Sequence, residues 1–386
     1  MRFLSIYLEN WRNFTHVDVP LQQRMFLVGP NASGKSNFLD AFRFLRDLVN
    51  VGGGLEKAVA DRGGVSRLRS LAARRQPGIV IDVQIGENDD ISWRYRVGIV
   101  QNNNSRPFLK EEKVWKSGKL LLERPDERDL NDRELLRQTH LEQINSNRDF
   151  REIADFFNTI RYYHIVPQLI RDPERSTGKK SDPFGGDFLE QIASLPKKTQ
   201  ESRLRRIQNA LRVAVPQLQE LTEYKDNRGV PHLRAKYDHW RSKGAWQTEA
   251  DFSDGTLRLM GLLWALLDGN GPLILEEPEL SLHAEVASHI PQMMASIQKS
   301  QRKQARQIFV STHSSDLLRD PGIAADEVLI LRPTSEGTKI EVSIDNAEIK
   351  QLLESGLPVS EAVLPQTRPP RAEQLSHFGI EVFEKI

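Results

Sequence analysis

Lys35 and Ser36 close the run Gly29-Pro30-Asn31-Ala32-Ser33-Gly34, giving the spacing G-x-x-x-x-G-K-S. Residues of these types at this spacing bind phosphate. The glycines let backbone N–H groups converge on an anion, the lysine adds a mobile cation, and the hydroxyl can ligate a divalent metal. Gly29, Asn31, Ser33, Gly34, Lys35, Ser36 and Asn37 are therefore candidate nucleotide contacts. Lys35 would reach the β- and γ-phosphates, and Ser36 would face Mg²⁺. Glu276 and Glu277 end the apolar run Leu273-Ile274-Leu275, so two carboxylates sit at the end of a buried strand. One could hold Mg²⁺ and the next could orient an attacking water. Gln307-Ile308-Phe309-Val310 ends similarly, in Ser311-Thr312-His313, where an imidazole could donate a hydrogen bond to a γ-phosphate. Ser253-Asp254-Gly255-Thr256 precedes an apolar helix and reads either as a plain N-cap or as a second phosphate-binding helix terminus.

These residues need a scaffold that gathers strand ends. Met25–Val28 reads as a buried strand, followed by an amphipathic helix to about Leu48. Residues 2–8 and 14–21 read as strands, 50–77 as a mobile or ligand-ordered connection, and 78–123 as an antiparallel meander. Residues 127–160 are charged and helical in character, and the strand 162–166 stops at Pro167-Gln168. Helices near 187–213 and a charged strand pair near 218–240 follow. From 256 onward helices and strands alternate (256–268, 273–276, 283–303, 307–311, 314–319, 327–332), which implies a parallel sheet. The tail from 365 is proline-rich and expected to be partly extended.

The chain has 386 residues, 38% of them apolar, a formal charge of +1 and no cysteine. Disulfides, thiolate metal sites and cysteine nucleophiles are excluded. No global field attracts nucleic acid, so any such contact requires a local patch. The opening residues alternate like a strand and lack the apolar core of a signal peptide, and no stretch has the length of a membrane span. A soluble, cytoplasmic protein without a membrane partner is expected.

The order of these motifs resembles an ABC-type ATPase head. Within that class it is similar to the RecF/SMC-like group and to the ATPase part of the OLD nucleases, a stand-alone AAA family ATPase without coiled coil or fused Toprim nuclease. The opening Leu8-Glu9-Asn10-Trp11-Arg12-Asn13-Phe14 is similar to that group's first segment. The resemblance implies an α/β fold: a mixed sheet around the P-loop, an antiparallel β meander and an inserted helical signature lobe. The head would span 1–345, with lobe I at about 1–166 and 265–345, the signature lobe at about 167–264, and a C-terminal tail at 346–386. It makes Arg12 a nucleotide contact, Ser253 to Thr256 the signature loop, Glu277 the catalytic base and His313 the switch histidine. Ser281-Leu282-His283 becomes the D-loop and Gln168 the Q-loop residue, joining Ser36 and Glu276 at the metal. Two departures stand out. Glu276 replaces the Asp of transporter-type heads, and the signature reads S-D-G-T instead of S-G-G-Q.

The resemblance further implies ATP and Mg²⁺ as ligands and a head-to-tail homodimer or higher oligomer that closes on ATP. About 50 residues follow the last expected sheet strand, so a nuclease or other effector is expected as a separate chain. Residues 171–212 hold ten Lys/Arg against six Asp/Glu, including Lys179-Lys180, Lys197-Lys198 and Arg203-Leu204-Arg205-Arg206. This strip either faces duplex DNA or is a solvated helix face. Two outputs follow: a DNA-linked ATPase of anti-phage defence or repair, or a regulatory clamp that holds and releases an effector without DNA.

Overall fold

The computed structural model describes residues 1–73, 78–102, 106–172, 182–238, 245–300 and 305–368. Lys179-Lys180, Arg302-Lys303 and the chain beyond residue 368 lie outside the described residues.

The N-terminal third alternates apolar and polar residues and forms a sheet with one face on the core. It holds β1 (Arg2–Trp11), β2 (Phe14–Pro20), β4 (Ile79–Glu87), β5 (Asp90–Gln101), β6 (Pro107–Lys116) and β7 (Lys119–Arg124). The spatial order is β2-β1-β4-β5-β6-β7, antiparallel throughout. A second, mixed sheet runs β15-β14-β3-β13-β12-β8. Its members are β3 (Arg24–Val28), β8 (Arg161–Tyr163), β12 (Leu273–Glu276), β13 (Ile308–Thr312), β14 (Val328–Thr334) and β15 (Gly337–Val342). All pair in parallel except the β14–β15 hairpin. Its central strands are apolar on both faces, as burial from two sides requires.

Helix α1 (Lys35–Val49) lies between the two sheets. Its Phe38, Phe42 and Leu45 are fully buried with Phe3, Phe157 and Phe309. Each such ring or aliphatic side chain contributes about 1.5–3 kcal/mol on burial. The connection 50–73 is more ordered than its glycines suggest. It forms α2 (Leu55–Ala60) and α3 (Val65–Leu68), and Leu55, Val59, Val65 and Leu68 are buried. Residues 127–160 are less helical than their charge pattern implies: α4 (Glu127–Asn131), two 3-10 turns and α5 (Arg151–Asn158).

The other face of the mixed sheet carries a second core. There α6 (Pro167–Ile170), α7 (Phe188–Ala193), α8 (Lys197–Ala214) and α9 (Asp254–Leu267) pack over Phe26, Leu275 and Val310. The charged strand pair is in fact a three-stranded antiparallel sheet, ordered β11-β10-β9, of β9 (Leu218–Lys225), β10 (Pro231–Tyr237) and β11 (Ala245–Thr248). Helices α10 (Ala284–Ser288) and α11 (Ile290–Ser300) follow β12, and Leu317–Arg319 is one 3-10 turn. The segment read as the start of a tail forms α12 (Ala347–Glu354) and α13 (Val359–Val363), which bury Ile349, Val359 and Val363 in this second core.

Candidate functional site

Strand order builds the site. Leu27 lies beside Ser311, and Ser311 lies beside Glu276, so the C-terminal ends of β3, β13 and β12 form one row. The P-loop, His313 and the carboxylates leave the sheet together, where open α/β sheets take ligands.

Gly34 caps α1 with φ 97°, a left-handed conformation, and a Cβ there would overlap the Asn13 amide. Asn13 Nδ2 donates to Ser33 O (2.9 Å) and Thr338 Oγ1 (2.7 Å), and Asn37 Nδ2 donates to Asn13 Oδ1 (2.8 Å). The loop is thus held from outside by side chains. Lys35 folds back, its Nζ donating to Gly29 O (2.9 Å) and Pro30 O (3.2 Å). Burial pushes its pKa down to about 8, opposed by the charges of Glu277, Glu276 and Glu279. Ser36 and Asn31 are exposed. The Ser33 hydroxyl is buried without a partner.

Glu276 is 9% exposed, and its Oε1 is buried without a hydrogen bond. The Tyr162 hydroxyl bonds this carboxylate, and burial together with that charge raises the tyrosine pKa. His164 Nδ1 stands 3.5 Å from Glu276 Oε2. Glu277 takes φ 43°, a positive value for a non-glycine residue, and His313 Nε2 lies 3.3 Å from its Oε1. Burial, then the Lys35 charge, lower the His313 pKa against the pull of Glu277. A neutral ring protonated at Nε2 donates to Glu277. In this conformation His313 therefore touches the assigned base.

Glu279 had no role in the sequence reading. Its Oε1 accepts from Thr312 Oγ1 (2.6 Å) and His313 N (3.3 Å), tying the β12 loop to the end of β13, while Oε2 is unpaired. Burial raises its pKa. The third acid of Glu276-Glu277-Pro278-Glu279 was the available signal. Tyr162 and Asn13 carried no signal, because their roles depend on strand order.

Ser253 caps α9, its Oγ accepting from Thr256 N at 3.1 Å. A Cβ on Gly255 would lie 2.7 Å from Ser281 O, so the Ser253 loop packs against the Ser281 loop of the same chain. Gln168 Nε2 donates to Asp254 Oδ2 (3.1 Å) and Arg171 pairs with Asp254 at 2.6 Å. Gln168 thus meets the Ser253 loop, not the Glu276 carboxylate. Arg258, one turn along α9, is 8% exposed, and its Nε and Nη1 have no partner.

Arg12 takes φ 56° and pairs with Asp40 of α1 at 3.0 Å. With Asn13, Asn37, Arg67, Arg69 and Glu336 it lines a cavity of 1080 Å³ beside the P-loop. The site thus has a phosphate-sized loop, a carboxylate row and an adjoining cavity. Together they suit a phosphorylated ligand with a bulky remainder.

The family profile described as "AAA domain, putative AbiEii toxin, Type IV TA system" matches residues 24–320. The chain belongs to that family. Endonuclease GajA of Bacillus cereus (strain VD045) is 45% identical over 47 residues, which are 12% of this chain and 8% of GajA. The matched part is thus a small fraction of that relative's length. Among solved structures, the SmcHead bound to the C-winged helix domain of ScpA aligns with a TM-score of 0.56 at 14% identity. That alignment covers 89% of this chain and 99% of the other. A Pyrococcus furiosus Smc head domain with an extended coiled coil, bound to the C-terminal domain of ScpA, aligns at 0.52 and 14%, over 92% and 99%. The fold is therefore the ABC-type head expected from the motifs, and the chain sits in the ABC/SMC-like ATPase group. No described helix is long and apolar enough to cross a membrane.

Proposed function

We propose that this protein binds and hydrolyses ATP and uses the cycle to close and open a head-to-tail dimer. The carrying observation is the set of buried, unpaired polar atoms around Lys35: Ser33 Oγ, Glu276 Oε1 and Glu279 Oε2. Native interiors pair such atoms, and a cluster of exceptions calls for a ligand. A triphosphate complements the loop: Ser33 and the N-terminus of α1 donate to its oxygens, and Lys35 releases two carbonyls to reach them.

Mg²⁺ would fit the remaining donors, because a hard cation of this kind needs only one or two protein oxygens, and it would neutralise phosphate charge there. Ser36 and Glu276 would hold it, and no group of three or more metal-ligating side chains among the described residues offers a protein-only site. Glu277 orients the attacking water and accepts its proton as the water oxygen bonds to the γ-phosphorus and the bond to ADP breaks. Neutral His313, hydrogen-bonded to Glu277, holds that carboxylate in place. Arg12 and its cavity would receive the nucleoside.

The Ser253 loop, together with the lobe from about 167 to 264, would meet the triphosphate of a second copy. ATP then bridges two subunits and hydrolysis releases them. The head, residues 1–345 with α12 and α13 packed into its second core, would pass this motion to DNA and to a separate nuclease or other effector, in anti-phage defence or repair. The 47-residue likeness to an endonuclease supports the nuclease part of that output.

The test is light scattering after size exclusion. Glu277→Gln with ATP and Mg²⁺ should form a dimer that vanishes without nucleotide and on adding Ser253→Arg. A dimer population indifferent to nucleotide contradicts ATP as the bridge, and one indifferent to Ser253→Arg contradicts the loop's role.

A further inference from the structure

The expected DNA strip on α8 is partly committed elsewhere. Arg203 pairs with Asp268 at 2.9 Å and stacks on Trp264, and Arg212 donates to Leu218 O. The sheet β9–β11 presents a different surface. Its inward residues Leu221, Leu233 and Ala235 are buried. Its outward positions read Glu220, Thr222 and Tyr224 on β9, His232, Arg234 and Lys236 on β10, and Trp246 and Thr248 on β11.

Across this face the Arg234 guanidinium lies 4.7 Å from the Trp246 ring centroid and 5.3 Å from that of Tyr224. Its Nε reaches Thr222 Oγ1 at 3.3 Å. A ring, a cation and a second ring thus span three strands. Cross-strand pairs of this kind stabilise a sheet by about 0.2–1 kcal/mol each. That accounts for the packing of Arg234 but not for an indole left 46% exposed. His232 is committed to Glu249 (2.5 Å) and stacks on Tyr224. Lys236, an outward residue of β10, has no acidic partner among the described residues. Glu220 is the one carboxylate at the outward strand positions.

We infer that this face binds single-stranded nucleic acid, with a base stacking on Trp246 and phosphates meeting Arg234 and Lys236. Every unpaired base offers a π-face to an aromatic platform, whereas a duplex keeps its bases stacked inside. Arg234 and Lys236 match the backbone in charge, and the mixture of rings and cations distinguishes the face from a merely solvated one. The inference does not depend on the ATP reading. It adds a consequence to it, because β11 leads straight into Ser253. Glu249 N donates to Leu233 O, and Phe252 packs on Tyr237. A ligand on this face therefore bears on the loop that caps α9.

The experiment is fluorescence anisotropy of the intact protein with a labelled oligothymidylate of about 20 nucleotides and a duplex of the same length, with and without ATP. At about 50 mM salt the single strand should bind at least about tenfold more tightly than the duplex. Trp246→Ala and Arg234→Ala should each weaken it about tenfold or more, Trp246→Phe should recover most of the loss, and Lys236→Ala should flatten the salt dependence. ATP binding by Trp246→Ala should match the parent, which also shows that the fold survives. No single-strand binding in either nucleotide state, or binding unchanged by Trp246→Ala and Arg234→Ala, overturns the inference. A preference for duplex overturns it equally.

Discussion

Two buried charge clusters of this molecule differ in how completely their hydrogen bonds are made. Under the meander, Arg124 donates to Glu112, to Asp129 through two nitrogens, and to the carbonyls of Gln138 and Leu135. Glu112 also accepts from Tyr95 and from the backbone of His140 and Leu141. Around Lys35 there are three carboxylates to the two on Arg124, and Ser33, Glu276 and Glu279 each keep an unpaired buried oxygen. A saturated network fixes a fold, because each of its charges is already desolvated and repaid. An unsaturated one leaves a desolvation cost uncompensated, which a bound ligand can recover. Burial alone does not separate structural charge from functional charge; the count of unmet bonds does.

Breaking the unsaturated cluster at its base should have the largest effect. Glu277→Gln should lower steady-state ATP turnover by about 10² to 10⁴-fold, or about 3–5 kcal/mol of barrier, with ATP still bound. Breaking the saturated cluster should act on stability instead. Arg124→Met strands two buried carboxylates and should cost about 3–5 kcal/mol in urea unfolding, while ATP affinity per folded molecule is unchanged. If Arg124→Met instead changed ATP affinity at normal stability, the division between the clusters would fail.

The third prediction concerns pH. Burial holds Lys35 at about 8 in the free protein against an ordinary 10.5. Phosphates bind the ammonium form, so above pH about 8 binding must take up a proton. ATP affinity should be level below that pH and fall about tenfold per unit above it. The same lowered pKa makes the buried ammonium a cost to folding below pH 8. Its contribution to stability therefore rises between pH 8 and 10.5. Affinity level to pH 9.5 would show that Lys35 is not the titrating group. The smallest effect is expected from Ser33→Ala. Removing an unpaired buried hydroxyl should raise stability by up to about 1 kcal/mol while weakening ATP binding, a combination that no saturated group can give.

The P-loop, the strands that flank it and the carboxylates were legible because each is a local pattern: an apolar run, then glycines or acids at fixed spacing. The meander was legible from alternation. What escaped was set by topology. Asn13 bracing the P-loop and Tyr162 on Glu276 depend on which strands adjoin, and spacing does not encode that. Residues 50–73 read as loose because their glycines outweighed four scattered apolar residues that pack only once α1 is in place. The third strand of the inserted sheet, Ala245–Thr248, is four residues long and too short to show a period.

The central claim is that the unmet bonds around Lys35 await a nucleotide. The most direct measurement is equilibrium titration of a non-hydrolysable ATP analogue with Mg²⁺ into the intact protein and into Lys35→Ala, each with its thermal unfolding midpoint. The intact protein should bind and gain stability with ligand concentration as mass action requires. Lys35→Ala should fold at least as stably when free, having lost a buried ammonium, and show neither binding nor a shift. Equal affinity and equal thermal shift in the two proteins would contradict the account.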